Sequence, residues 1–251
     1  MGFSARECSV LCAEMVGRDA VSGDGFARVY RERHPELTGG PRKAPDISPL
    51  DAITMLVWIA TGDQSLKSLD RAERILFTRN IVASAKTDFI MNGELWSRTR
   101  ALPTRDITLA SLLLRLLELS RAGFKASEKI AESDAMPGLL TRATVGYIEG
   151  QPLCEIYRFK KLSEPLEAED CLAYSYFETW SFLAPEREAD LTPTTFTAAF
   201  NFDWIDKLAE RFGALPLSDA DSVAATVAEQ VRAESEAVAA SLPVHVHPGA
   251  H

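Results

Sequence analysis

The stretch TGGPRKAPDISPLDAITMLVWIATG, Thr38 to Gly62, joins a glycine-rich, basic loop to the most apolar helical segment of the chain's first half. Ser48 stands where an N-cap belongs and Pro49 where a first helical residue belongs. Leu50, Ile53, Leu56, Val57 and Ala60 recur at helical spacing, and Gly62 follows as a stop. A helix this apolar has to be buried. The loop before it is too polar to follow. Gly39-Gly40 permits positive φ, Pro41 restricts Gly40, and Arg42 and Lys43 are presented beside the tip. The glycine pair is not a phosphate cradle, because no strand precedes it and no Lys-Ser/Thr follows.

On the N-terminal side, Ser4 can cap a helix through about Val16, with Cys8, Leu11, Cys12 and Met15 on one face. Asp19 to Gly25 reads as a polar break. A second short helix is expected from about Phe26 to His34, ended by Pro35. Phe26, Val29 and Tyr30 form its apolar side, while Arg28, Arg31 and Arg33 point elsewhere. Two short helices around a glycine-containing turn, the second rich in arginine, suit a helix-turn-helix reader of DNA. In a winged version of such a head, Arg42 and Lys43 would lie on the wing and contact phosphates.

On the C-terminal side, residues 65–76 read as an amphipathic helix with Leu66, Leu69, Ala72 and Ile75 in register. Residues 77–104 read as a mixture of helix and irregular structure. Thr108 to Arg121 is a helix apolar over most of its circumference, stopped by Gly123. After a polar boundary around Met136-Pro137-Gly138 the period changes to two. Thr144–Tyr147 and Leu153–Phe159 form a hairpin, and an acidic loop, SEPLEAED, precedes an aromatic strand from Cys171 to Phe182. In that strand Leu172, Tyr174, Tyr176, Trp180 and Phe182 share one face. A helix from Thr192 to about Phe212 would cover the sheet, and a valine-striped segment leads to a polar tail.

The fold class expected is therefore α+β: a helix-turn-helix-like head, a helical middle, and a small antiparallel sheet of about three strands covered by a helix. The divisions fall at 1–62 for the head, 63–130 for the middle, 131–217 for the sheet with its helix, and 218–251 for the tail.

Composition bounds the function. The 251 residues carry 46% apolar and 25% charged side chains, as a soluble globular chain does. No run approaches the ~18 apolar residues of a membrane span. The N-terminus lacks a secretory signal, and four cysteines make no disulfide framework, so a reducing cytoplasm is the expected compartment. The net charge of −9 is divided: residues 1–130 hold 19 Lys/Arg against 16 Asp/Glu, and residues 131–251 hold 8 against 20. Such a split permits a DNA-binding head on an acidic body. Cys8 and Cys12 lie one helical turn apart without a second Cys or His pair at metal-ligand spacing, so no metal is expected. No nucleophile elbow, nucleotide-binding glycine loop or His-Glu-x-x-His is present, so neither catalytic residues nor a cofactor is assigned.

Gly39, Gly40, Arg42, Lys43, Ala44 and Pro45, followed by Ser48, Pro49, Asp51, Ala52, Leu56 and Val57, carry a resemblance. The order of features over about residues 4–212 resembles a group of uncharacterised proteins of bacterial prophages and phage-like elements. That resemblance implies a phage-type DNA-binding transcriptional regulator, non-enzymatic, with Arg28, Arg31 and Arg33 at the groove and Arg42 and Lys43 on phosphates. Its acidic C-terminal half would dimerise or hold a protein partner. An adaptor protein without nucleic-acid contact stands as the alternative, and an enzyme of unknown class as the third.

Overall fold

The apolar segment after Ser48 is the helix α3, Pro49–Thr61. Ser48 accepts from the Asp51 backbone N–H, and the Asp51 carboxylate accepts from the Ser48 backbone N–H. This capping box satisfies two backbone donors that a helix start leaves open. Every residue from Ala52 to Ile59 is buried, so α3 is enclosed on all sides rather than along one stripe.

The computed structural model describes residues 3–38, 45–91, 94–102, 106–123, 140–148, 151–168, 171–183 and 195–214. Around α3 lie α1 (Ala5–Met15), α2 (Ala20–Arg33), α4 (Leu66–Leu76), α5 (Leu109–Arg121) and α6 (Asp203–Phe212). Among these, α1, α4, α5 and α6 all pack directly on α3. The strands are β1 (Arg79–Met91), β2 (Glu94–Ala101), β3 (Leu140–Ile148), β4 (Gln151–Ala168), β5 (Cys171–Leu183) and β6 (Phe196–Phe200). They form one antiparallel sheet in the order β2-β1-β5-β4-β3-β6. Helices α3 and α4 rest on its β3, β4 and β6 half.

The α+β class with a helical N-terminal part is as the sequence leads one to expect, but the sheet has six strands rather than three. Two segments account for the difference. Residues 79–101, read as helix mixed with irregular structure, are the β1–β2 hairpin. Ile81 and Val82 are consecutive and both exposed, beside a shift of register between Asn80 and Val82, so the two-residue alternation of a half-buried strand is broken. Residues 196–200, read as part of a long helix, are β6, and the helix begins only at Asp203. Phe196 stacks on Tyr147 at 5.5 Å across the β3–β6 pair. At the same pair a Cβ on Gly146 would lie 2.1 Å from the Phe196 carbonyl oxygen, so only glycine allows this close approach. The acidic stretch read as a loop, from Ser163, is carried within β4 to Ala168. Its pairing with β5 is interrupted between Lys161 and Leu166, where Pro165 offers no N–H to the ladder.

The inner face of the sheet follows from register. Ala83, Trp180, Ile156, Ala143 and Phe200 fall on one row, and Phe182, Cys154 and Val145 on the next row of the same face. All belong to or pack against the core that includes α3. Trp180 and Phe182 thus keep the expected alternation. An extra residue, Tyr174, interrupts it where β5 pairs Ser175 with Asp88 but Ala173 with Phe89.

The head departs from the expected boundaries. Asp19 caps α2 by accepting from the Ser22 N–H at 2.7 Å. The residues read as a polar break are therefore the first turns of the helix, and the connection shrinks to Val16–Asp19, with Gly17 at φ 79°. Gly23 is a packing residue: a Cβ there would lie 2.7 Å from the Cα of Val10. Gly23→Ala is expected to cost about 1–3 kcal/mol by forcing α1 and α2 apart. Val21→Ala, on a side chain 78% exposed, should stay within about 0.5 kcal/mol. Urea unfolding of both variants checks this, and equal midpoints would refute the close-packing role of Gly23.

Candidate nucleic-acid interface

The arginines assigned from sequence do not share one environment. Arg28 is exposed on α2. Arg31, three residues on and partly buried, donates through Nε to the Ala27 carbonyl at 3.1 Å. Arg33 turns toward α4, with its guanidinium 3.5 Å from Asp70 and 4.0 Å from Glu73. This is a surface ion pair between α2 and α4. Arg42 and Lys43 lie outside the described residues, as does the valine-striped segment. The root of their loop is placed by neighbours: Leu37 is buried, Ser4 and Asp46 form a bridge, and the Ile47 N–H donates to the Phe3 carbonyl at 2.9 Å. The loop thus leaves and rejoins the head beside the start of α1 and the end of α2.

Several acids of the head are already engaged. Glu7 completes the capping box of α1 with Ser4, which holds its carboxyl below the usual range. Asp24 forms a two-bond pair with Arg6 at 2.7 and 3.1 Å. Asp19 and Asp51 are caps. Arg18 donates to the Gly62 carbonyl at 2.8 Å and lies 5.2 Å above the Phe26 ring. This cation therefore ties the α1–α2 turn to the end of α3.

A polar seam that the sequence reading did not single out runs between α2, α3 and α4. The Tyr30 hydroxyl donates to Asp51 at 2.6 Å, so the residue that caps α3 also anchors α2. Burial, with the nearby Asp51 carboxylate, pushes the Tyr30 phenol far above its ordinary range. His34 stacks on Tyr30 at 4.4 Å and meets Glu36 at 3.2 Å through Nδ1, while its Nε2 is buried without a described partner. Burial also raises the Glu73 carboxyl, Arg33 and His34 opposing and Asp70 adding to the effect. Tyr30 and Asp51 stand 21 residues apart, which no local spacing rule detects. Among the described residues no three His, Cys, Asp or Glu side chains converge as a metal would require, and Cys8, Cys12 and Cys154 are buried thiols of the core. Nor is any described helix long and apolar enough to cross a membrane. The seam's chemistry is positional: it sets the end of α2 and the root of the loop relative to α3.

Two measurements test the seam. Tyr30→Phe leaves Asp51 without its buried donor and should cost about 1–3 kcal/mol in urea unfolding; an unchanged midpoint would deny the anchor. Glu73 binds a proton more tightly in the fold than in the unfolded chain. Its contribution to stability is therefore full at acid pH and declines as pH rises from the ordinary carboxylate range through the raised value. Glu73→Gln should raise the melting temperature at neutral pH and lose that advantage in acid, and a gain independent of pH would contradict the assignment. No protein-family model, curated protein or solved structure matches this chain.

Proposed function

We propose that the protein is a non-enzymatic DNA-binding regulator that meets the duplex with its helical head. The observation that carries this reading is the α1–α2 connection. A turn of four residues, Val16 to Asp19, with Gly17 in the left-handed region, is of the length and composition used in helix-turn-helix units. The break expected from sequence, Asp19 to Gly25, is too long for that. Arg28 and Arg31, three apart on α2, are the residues assigned to the groove. Arg42 and Lys43 are assigned to phosphates, on a loop rooted at the end of the same helix. Arg33 is given a supporting role, since its guanidinium faces Asp70 and Glu73. The engagement of Asp19, Asp24 and Asp51 in caps and pairs further supports the reading, because these acids near α2 are partly neutralised or turned to backbone donors.

The test is a titration of the full chain against duplex DNA at several salt concentrations. Arg42→Ala with Lys43→Ala should weaken binding to all sequences alike and reduce the slope of log affinity against log salt by about 2. Arg28→Ala with Arg31→Ala should instead erode the preference between sequences, by about 1–3 kcal/mol for each base that is no longer read. Duplex binding that ignores salt and both double substitutions would reject the proposal.

A further inference from the structure

The two edge strands of the sheet, β6 and β2, are unlike. Strand β6 is five residues long and is followed closely by α6. Strand β2 pairs with β1 over eight consecutive residues, Glu94 to Ala101, with no shift of register, and it contains no proline. A short strand, a bulge or a proline blunts an open edge against the addition of another strand. None of these blunts β2. Glu94, Ser97, Arg98, Thr99 and Ala101 are all exposed. Successive residues of a strand point to opposite faces, so neither face of this edge is covered at these positions.

The direction of the backbone groups follows from one bond. The Leu102 N–H donates to the Ala83 carbonyl at 2.8 Å. In an antiparallel strand the backbone groups turn to one neighbour at every second residue and to the other side in between. The even-numbered residues of β2 therefore direct their N–H and C=O to β1, while those of Leu95, Thr99 and Ala101 turn away from it. Such a row accepts a strand whose side chains suit its own. The charges of β2 are ordered, with the acid Glu94 at its start and the cations Arg98 and Arg100 near its end. A second β2 running antiparallel along the full strand sets Glu94 against Arg100 of the second copy and Leu95 against its Thr99, and a two-fold axis repeats both pairs. Outward backbone groups meet only at every second register. Sliding to the next register one way sets Arg98 against Arg98 of the second copy, a like pair directly opposite, which is unfavourable. Sliding the other way leaves Arg100 beyond the paired stretch. The same charges turn away strands that would oppose cation to cation, so the edge discriminates in favour of its own copy.

We propose that β2 is a homodimer interface, at which two copies join edge to edge by antiparallel pairing of β2 and the two sheets become one. This interface uses neither the helical head nor the acidic C-terminal half. The test is sedimentation velocity of the full chain at low salt over a range of concentrations. The wild type should reach twice the mass of one chain and go no further, as a closed two-fold requires. Thr99→Pro removes an outward N–H from each copy and leaves the bonds to β1, and it should weaken the dimer about tenfold or more. Glu94→Arg and Arg100→Glu should each weaken the dimer. Combined, they restore opposite charge across the two-fold and should return the affinity toward that of the wild type. Far-UV circular dichroism checks the fold of each variant, and should Thr99→Pro unfold the chain, the charge exchange decides alone. A wild-type chain that stays monomeric at high micromolar concentration would overturn the proposal. So would a dimer indifferent to these substitutions, or one that the combined charge exchange leaves as weak as the single changes do. Mass that keeps growing with concentration would assign the edge to head-to-tail addition on β6 of another copy and reject the two-fold.

Discussion

Complete burial of α3 is the constraint on which the rest of the structure depends. Eight consecutive residues, Ala52 to Ile59, are shielded from water, and each large apolar side chain among them contributes about 1.5–3 kcal/mol when fully buried. One neighbour cannot cover a helix on all sides. Helices α1, α4, α5 and α6 and strands β3 and β6 share the task, so elements drawn from both ends of the chain meet on one segment. The cap at Ser48–Asp51 stands at the start of this helix. A helix start leaves backbone donors without intrahelical partners, and Asp51 satisfies one of them at this exposed cap while also accepting from Tyr30.

The polar groups around the head are arranged by the same economy. Arg6 with Asp24, Arg33 with Asp70, and Arg18 with the Gly62 carbonyl connect helices at their exposed margins. Such pairs contribute little to stability individually, but they determine which charges remain for a partner. Arg28 is exposed on α2, while Arg33, also exposed, is paired at the surface with Asp70 of α4. Counting arginines along α2 therefore overstates what the helix can offer to a phosphate backbone.

The sheet divides in two. Its β3–β4–β6 half is a floor for the helices, with Tyr147 reaching the Arg71 carbonyl and Phe196 stacked on Tyr147. Its β2 edge carries exposed side chains, Arg98 among them, and charge on an edge strand disfavours unwanted strand addition.

Local features of the sequence determined four of the helices closely. Ser4, Ser48, Ser65 and Thr108 cap α1, α3, α4 and α5, because a cap is decided within a few residues by one side-chain oxygen. The hairpin of β3 and β4 was legible for the same reason, in its two-residue period. The tertiary structure alone decided that Gly23 belongs inside α2, where contact with Val10 selects for a missing Cβ. It alone decided that residues 79–101 and 196–200 join the sheet, since β1 gains its order from β5 and β6 from β3, partner strands distant in sequence. Capping and periodicity act over a few residues of chain, whereas packing and register act through space between segments that the sequence keeps apart.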